Sequence, residues 1–190
     1  MVPKFPCGTM NRQANARIIN TCKNCSAKCC RGLAVVLTLP EAIRMVEVTG
    51  LEPIDILQFS VNIDSKTTPH YPLLVNAGKG RAHEVHEYFI IIRREGKDCI
   101  FLNDDYTCSV YNDRPLVCRL YPYELDGRTL KKGALCPVNF VREENMEGDA
   151  ARLKKDLYTH EKLARQWHAK YGREMPDMRR FKEYFCGGRK

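Results

Sequence analysis

Along the first half of the chain, the apolar positions are spaced for short helices rather than long ones. A helix is predicted after Thr38, which can cap it, because Glu41 can complete a capping box and Gly50 can end it. Residues 53–59 predict a second short helix. Residues 60–82 are rich in Pro, Gly, Thr and Asn, which predicts a loop.

The central part of the chain alternates strand-forming runs with turn residues. Residues 85–93 predict a strand, because aromatic and β-branched side chains dominate them. Turns are predicted at residues 95–98 and 103–106. Two further short strands are then expected at residues 99–102 and 107–111, so this part of the chain predicts a small antiparallel sheet.

Helical signals return in the last third of the chain. A helical turn is predicted near Pro115, with Asn112 or Asp113 as its cap, and residues 124–133 predict a polar turn. From about residue 143 to residue 171, an apolar stripe recurs at helical spacing among charged residues, which predicts a long helix. The stripe consists of Leu153, Leu157, His160, Ala164 and Trp167.

Together these elements predict an α+β fold. A small antiparallel sheet and short helices would surround a cysteine-ligated metal centre, with a long C-terminal helix across them and a further short helix at residues 176–185. We divide the chain into an N-terminal arm at 1–20, a cysteine-cluster domain at 21–140 and a helical segment at 141–190. A chain of 190 residues can bury a core without covalent staples.

The net charge of the chain bears on the kind of partner that it can bind. The 31 Lys and Arg residues outnumber the 23 Asp and Glu residues, which gives a formal net charge of +8. Two four-thiolate sites, each about −2, would lower this charge to roughly +4. The basicity still permits a protein partner, or a nucleic acid bound through the basic C-terminal region.

The expected location is the cytoplasm, without contact with a membrane. No apolar run is long enough to cross a bilayer, and the first residues carry no signal-peptide pattern. In reducing cytosol, the ten cysteines are expected to be metal ligands or redox groups rather than structural disulfides.

Eight cysteines form two groups that suit metal binding. The first group is Cys22, Cys25, Cys29 and Cys30, and the second is Cys99, Cys108, Cys118 and Cys136. Thiolates are strong ligands of zinc and of iron in iron–sulfur clusters. The eight sulfurs suit two four-sulfur sites, or one cluster with spare thiols, and some cysteines are alternatively small buried hydrophobes. Cys7 and Cys186 lie outside both groups and are expected not to be ligands.

Two arginines flank Cys118 and are candidate cofactor-binding residues. Arg114 and Arg119 can offset the charge of thiolates or of a cluster, or hold an anionic substrate. The alternative is that each pairs with a nearby carboxylate, such as Asp104, Asp105 or Asp113.

Histidines are weaker candidates for ligands. His83 and His86 lie at the start of a predicted strand, which would direct their side chains to opposite faces. His160 lies in the helical stripe and is expected to pack rather than to bind a metal.

The cysteine pattern resembles the YkgJ-like cysteine-cluster family. The likeness rests on Cys22-x-x-Cys25-x-x-x-Cys29-Cys30, followed by Cys99-Ile-Phe-Leu, Cys108-Ser-Val-Tyr111, Arg114-Pro115-Leu-Val-Cys118-Arg119, Tyr121-Pro122 and the later Cys136. It implies a zinc- or iron-chelating domain over about residues 22–137. The family is related to flagellin lysine N-methylases, for which a methyl transfer linked to an iron–sulfur centre has been proposed. No glycine-rich nucleotide-binding fingerprint supports that activity here.

The leading hypothesis is a metal-binding protein that acts in redox chemistry, metal handling or partner modification. We favour an iron–sulfur cluster, of the [4Fe–4S] type, with zinc as the alternative. One competing hypothesis is an iron–sulfur-linked protein lysine methyltransferase. Another is a structural zinc module that docks a protein or a nucleic acid. The sequence leaves open whether the protein is an enzyme, and it identifies no catalytic residue.

Overall fold

The computed structural model describes residues 26–61, 74–77, 85–126, 129–132, 146–172 and 174–187. The helices are α1 (Lys28–Gly32), α2 (Leu39–Thr49), α3 (Pro53–Ile56), α4 (Leu116–Leu120), α5 (Met146–Tyr171) and α6 (Met178–Phe181). The strands are β1 (Val36–Leu37), β2 (Leu57–Val61), β3 (Leu74–Ala77), β4 (Val85–Ile92), β5 (Arg94–Glu95), β6 (Asp98–Cys99), β7 (Tyr123–Asp126) and β8 (Thr129–Lys132). A π-helix at Lys182–Cys186 follows α6. The predicted α+β class is confirmed. The predicted arm at 1–20 lies outside the described residues.

Helix α2 begins and ends where its sequence predicts. The Oγ1 atom of Thr38 accepts a hydrogen bond from the Glu41 amide, and Glu41 Oε2 accepts one from the Thr38 amide, each at 3.3 Å. Gly50 adopts a φ of 65° and ends the helix with an amide bond to Val46 O. Both ends are confirmed because their signals lie within a few residues of the helix itself.

Strand β4 is the centre of the main sheet, and all its neighbours are antiparallel to it. One edge of β4 pairs with β1 and β3, and the other edge pairs with β2. Ile90 and Ile92 enter the main hydrophobic cluster on one face, whereas Phe89 and Ile91 enter a second cluster on the other face. The strand is therefore buried on both sides from Tyr88 to Ile92, as the continuous apolar sequence of these five residues requires.

Several predicted elements differ from those observed. The helix predicted over residues 53–59 ends at Ile56, because the residues that follow pair with β4 as strand β2. The loop predicted over residues 60–82 is wrong at its start, which belongs to β2, and at residues 74–77, which form β3. The polar turn predicted over residues 124–133 is wrong at residues 124–126, which belong to β7, and at residues 129–132, which form β8 and pair with β7.

The small strands after β4 are also shorter than predicted. Of the strand expected at residues 99–102, only Cys99 is observed in a strand; it ends β6, which pairs with β5. The strand expected at residues 107–111 is reduced to one bridge between Leu102 and Cys108. The chain turns at this point because Phe101, which is 3% exposed, packs into the main cluster.

Helix α5 is joined to the rest of the fold by all three hydrophobic clusters. Ala164 and Trp167 belong to the main cluster, and Leu153 packs with Leu116 of α4 in another. Leu157 contacts the cluster that contains Phe89 and Ile91, on the other face of β4. The predicted long helix is confirmed, and it completes the core of the cysteine-bearing elements. In the described part of the chain, no helix has the length and apolar character needed to cross a membrane.

A buried histidine connects α5 to the start of α2. His160 is 3% exposed, and its Nδ1 atom accepts a hydrogen bond from the Leu39 amide at 3.0 Å. This amide belongs to the first turn of α2, where backbone donors have no partner within the helix. His160 is therefore a packing residue, as expected.

Replacing Trp167 by alanine should lower the free energy of unfolding by about 3–5 kcal/mol, as large buried aromatic truncations do. Trp167 is 1% exposed, and its ring stacks on that of Phe185 with centroids 5.5 Å apart. Urea denaturation followed by circular dichroism measures the change. The control is Tyr158→Ala on the same helix, where the side chain is 73% exposed and a loss below about 0.5 kcal/mol is expected. Equal losses would contradict the assigned core.

Candidate metal centre

Separate elements carry the described cysteines of the two groups. Cys29 and Cys30 lie in α1, Cys99 ends β6, Cys108 lies in the bridge to Leu102, and Cys118 lies in α4. None of these cysteines forms a disulfide, and neither does Cys186. The proposed ligands Cys22, Cys25 and Cys136 lie outside the described residues, as does Cys7.

The thiols of Cys29, Cys99, Cys108 and Cys118 lie close enough together to affect one another. The pKa of Cys99 is raised to about 12, mainly by burial and in smaller part by the neighbouring sulfurs of Cys108 and Cys29. Burial also raises the pKa of Cys118 well above its ordinary value, with additional contributions from Cys99, Cys108 and Cys29. Cys29 belongs to the first group of the sequence and the other three to the second. The two groups therefore meet in one region of the fold.

Cys29 and Cys30 contact each other directly. Their sulfurs are 4.0 Å apart, and a thiol–thiol hydrogen bond between them is the main cause that raises the pKa of Cys29, followed by burial. Adjacent residues usually direct their side chains apart, but within the short helix α1 both sulfurs remain neighbours. The pair therefore adds a further sulfur to the region.

Among the described residues, no three Cys, His, Asp or Glu side chains already form a metal-binding set. The four thiols are thus gathered in one region without being a complete site by themselves, and three proposed ligands are not among the described residues. Their chemistry fits zinc and iron, because soft thiolates favour these metals over magnesium or calcium. Metal binding would deprotonate the thiols and offset the cost of burying their charge.

Arg119 is paired away from the thiols. Its Nε atom lies 3.0 Å from Asp149 Oδ2, and the Asp149 side chain is only 4% exposed. The carboxylate is on α5, so this pair fastens α4, which carries Cys118, to the long helix. The sequence analysis expected a partner such as Asp104, Asp105 or Asp113. The observed partner of Arg119 is a different carboxylate, that of Asp149.

Arg114 lies beside Cys118. Its positive charge opposes the rise in the pKa of Cys118, and its guanidinium lies 4.0 Å from the centroid of the Tyr111 ring. Its backbone carbonyl accepts a hydrogen bond from Arg44 Nη2. Of the two arginines chosen from the sequence, Arg114 is therefore the one whose charge reaches a thiol.

Arg94 is a second arginine beside the thiols, and the sequence analysis missed it. Arg94 pairs directly across the β5–β6 hairpin with Cys99, and its charge opposes the rise in the pKa of that thiol. Its Nε atom is buried without a hydrogen-bond partner among the described residues. The predicted turn at residues 95–98 was the available signal, because it places residues 94 and 99 opposite each other. An unpaired donor beside a thiol fits a site that holds metal-bound thiolates.

Glu41 fixes the helix that carries Cys118. Its Oε1 atom accepts a hydrogen bond from the Leu116 amide at 2.6 Å, and its side chain is fully buried. Burial raises the pKa of Glu41, whereas hydrogen bonds from Thr38 and Leu116 oppose the rise. The cap predicted for α4 from Asn112 or Asp113 is wrong, because no side chain adjacent in sequence caps this helix. Glu41 of α2 occupies that role instead.

Residues 21–137 match the model of a protein family named CxxCxxCC, whose description is "Putative zinc- or iron-chelating domain". The chain belongs to this family. The match confirms the resemblance seen in the sequence, and it supports metal binding by the cysteine-bearing region. It covers both cysteine groups of this CxxCxxCC protein and ends before α5.

This CxxCxxCC protein departs from the printed motif in one place. Three residues separate Cys25 from Cys29, where the family name has two. Ser26 and Ala27, within that interval, have positive φ values of 54° and 47°. No curated protein and no solved structure matches the chain, so the comparisons do not confirm the relation to flagellin lysine N-methylases.

Replacing Glu41 by glutamine should change the pH dependence of stability in a defined direction. Since the folded-state pKa of Glu41 is raised, its contribution to stability is complete below the ordinary glutamate pKa and is lost as pH rises through the folded-state pKa. Glutamine stays neutral. The stability of Glu41→Gln relative to the parent should therefore increase as pH rises from about 5 to about 8.

Urea denaturation of both proteins in the same metal state, at several pH values, measures this difference. A constant difference across the range would contradict the assigned environment of Glu41. A second variant, Glu41→Ala, leaves the buried Leu116 amide without its acceptor and should be less stable than Glu41→Gln by about 1–3 kcal/mol at every pH.

Proposed function

We propose that this protein binds an iron–sulfur cluster of the [4Fe–4S] type through its cysteines, and that it acts in electron transfer or in handling metal or clusters for a protein partner. The observation that carries the proposal is the meeting of Cys29, Cys99, Cys108 and Cys118. They come from separate elements, their thiols interact electrostatically, and none forms a disulfide.

Because these thiols are partly buried, their thiolate forms need a cation nearby to stabilise them. A thiolate is disfavoured in a low-dielectric interior, which is why burial raises the pKa values of Cys99 and Cys118. A metal reverses this preference, because its positive charge stabilises the thiolate directly. Four thiolates around a cluster leave about two negative charges, which Arg94 and Arg114 are placed to offset. When bound, the cluster would supply one-electron redox chemistry.

The proposed ligand set contains all eight cysteines of the two groups. The described members support one centre, or two adjacent centres, rather than two separated ones, since Cys29 interacts with Cys99 and Cys118 of the other group. Cys22, Cys25, Cys30 and Cys136 remain proposed ligands on the basis of sequence and family. We favour iron because these residues together offer more sulfurs than a single zinc ion needs.

Zinc is the alternative metal, and the family description names both. A four-thiolate zinc site is closed and structural, so it would make the protein a docking module without redox activity. Methyl transfer to a protein lysine stays a prediction from the sequence, since nothing in the described residues favours it over metal binding.

The proposed partner is a protein with an acidic surface. The exposed residues around α1 and the β5–β6 hairpin include Lys28, Arg31, Arg93 and Lys97. The acidic residues there are Glu95 and Asp98, and Asp98 lies 3.4 Å from Arg31. Positive charge beside a redox centre would steer an acidic partner toward it. A nucleic acid that binds the basic C-terminal region is the alternative partner.

Replacing Cys99 or Cys118 by serine should remove most of the bound metal and destabilise the fold, because a hydroxyl is a poor ligand for these metals. The matched control is Cys186→Ser, since Cys186 packs against the main hydrophobic cluster outside both groups. Elemental analysis of protein purified without oxygen measures the metal content per chain, and thermal denaturation measures stability. Full metal content in Cys99→Ser and Cys118→Ser would contradict the ligand assignment.

A further inference from the structure

The hairpin formed by β5 and β6 places an arginine against a cysteine. Arg94 and Cys99 are direct partners in the antiparallel pairing, so their side chains emerge on the same face. Side chains at such positions begin only about 5 Å apart. Gly96 supplies the positive φ, 61°, that the connecting turn requires. The sequence therefore encodes this contact in six consecutive residues, from Arg94 to Cys99.

Hydrogen bonds hold the rest of the Arg94 side chain in place. Its Nη2 atom donates to the carbonyl of Arg31 at 3.1 Å and also to the carbonyl of Lys97. Its backbone amide donates to Gln58 Oε1 at 3.2 Å. Arg31 follows Cys30 in α1, so one guanidinium connects the helix of the first cysteine group to the strand of the second. These two carbonyl groups fix the position of the Arg94 guanidinium.

The Nε atom of the same guanidinium is buried and has no hydrogen-bond partner in the described part of the chain. A buried donor without an acceptor costs about 1–3 kcal/mol, and more when the group is charged. A neutral thiol is a weak acceptor, whereas a thiolate is a strong one for a charged donor. The unpaired Nε–H is therefore suited to a neighbouring cysteine in its metal-bound form.

We propose that Arg94 is a positioning residue of the metal centre, whose Nε–H donates a hydrogen bond to the sulfur of Cys99 when that sulfur is a metal-bound thiolate. This inference rests on the proposed metal centre but applies to zinc and to iron alike. The bond orients Cys99, and the contact with Arg31 holds α1 against it. Partners of this kind orient ligands and tune the metal they bind.

Arg94→Lys separates a hydrogen bond from a mere charge effect. Lysine keeps the positive charge but has no Nε–H in a planar fork, so a purely electrostatic role would survive the change. Arg94→Gln removes both the charge and the fork. The control is Arg93→Gln, which removes the same charge from the adjacent residue, where the side chain is exposed and donates to Ile54 O.

The test uses the full chain loaded with zinc and measures zinc affinity by competition with a chelator. Arg94→Lys and Arg94→Gln should each weaken zinc binding about 10–100-fold, the usual effect of losing such a partner. Arg93→Gln should stay within about twofold of the parent, because exposed charges contribute little. Parent-like affinity in Arg94→Lys would overturn the proposal.

A second measurement needs no variant and so does not depend on how the variants fold. The parent protein is loaded with an NMR-active cadmium isotope, and a coupling is sought between cadmium and the Nε proton of Arg94 through the Cys99 sulfur. We expect that coupling, and its absence in protein that carries bound cadmium would overturn the proposal. A parent protein that holds no iron, zinc or cadmium would instead overturn the proposed metal centre, so the two failures are distinguishable.

Discussion

The constraint on which the structure depends is the confinement of several thiols within one partly buried region. Each of Cys29, Cys99 and Cys118 has a pKa raised by its surroundings, and the sulfurs contribute to one another's shifts. Such a group can remain fully protonated, or it can share a cation that balances its thiolates. The two arginines beside the thiols favour the second state. A bound metal cation would therefore balance the negative charge that these thiolates place in a partly buried region.

The elements that carry the thiols are held by polar contacts between distant parts of the chain. Glu41 fixes the first turn of α4 through the Leu116 amide, and Arg119 fastens the same helix to Asp149 of α5. On the other side, Arg94 holds the carbonyl of Arg31 in α1. The contacts of Glu41 and Arg94 are hydrogen bonds between a side chain and the backbone, and the contact of Arg119 is a largely buried ion pair. Such contacts specify position more than they add stability.

Capping residues and apolar periodicity were sufficient to predict the helices α2 and α5. Thr38, Glu41 and Gly50 determine α2 within a few residues, and the stripe containing Trp167 predicts α5. The family resemblance likewise rests on short motifs. Strand β2 was missed because its conformation is decided by pairing with β4 rather than by its own sequence.

The parts of the site that the sequence could not supply are those set by tertiary contacts. The cap of α4 comes from Glu41, which is far away in the chain, and the carboxylate that pairs with Arg119 lies on α5. Neither partner carries a local signal. Arg94 differs, because the turn at residues 95–98 was predicted and the register that this turn sets places Arg94 opposite Cys99. Short hairpins that end at a cysteine are therefore a useful place to look for residues that support a metal centre.

The proposed iron–sulfur cluster is tested most directly on the parent protein purified without oxygen. Iron and acid-labile sulfide are measured per chain, together with the visible absorption spectrum. We expect iron and sulfide in equal amounts and the broad absorption of a thiolate-bound cluster. Zinc without sulfide would contradict the cluster and favour the structural module, and protein without any metal would contradict the metal centre itself.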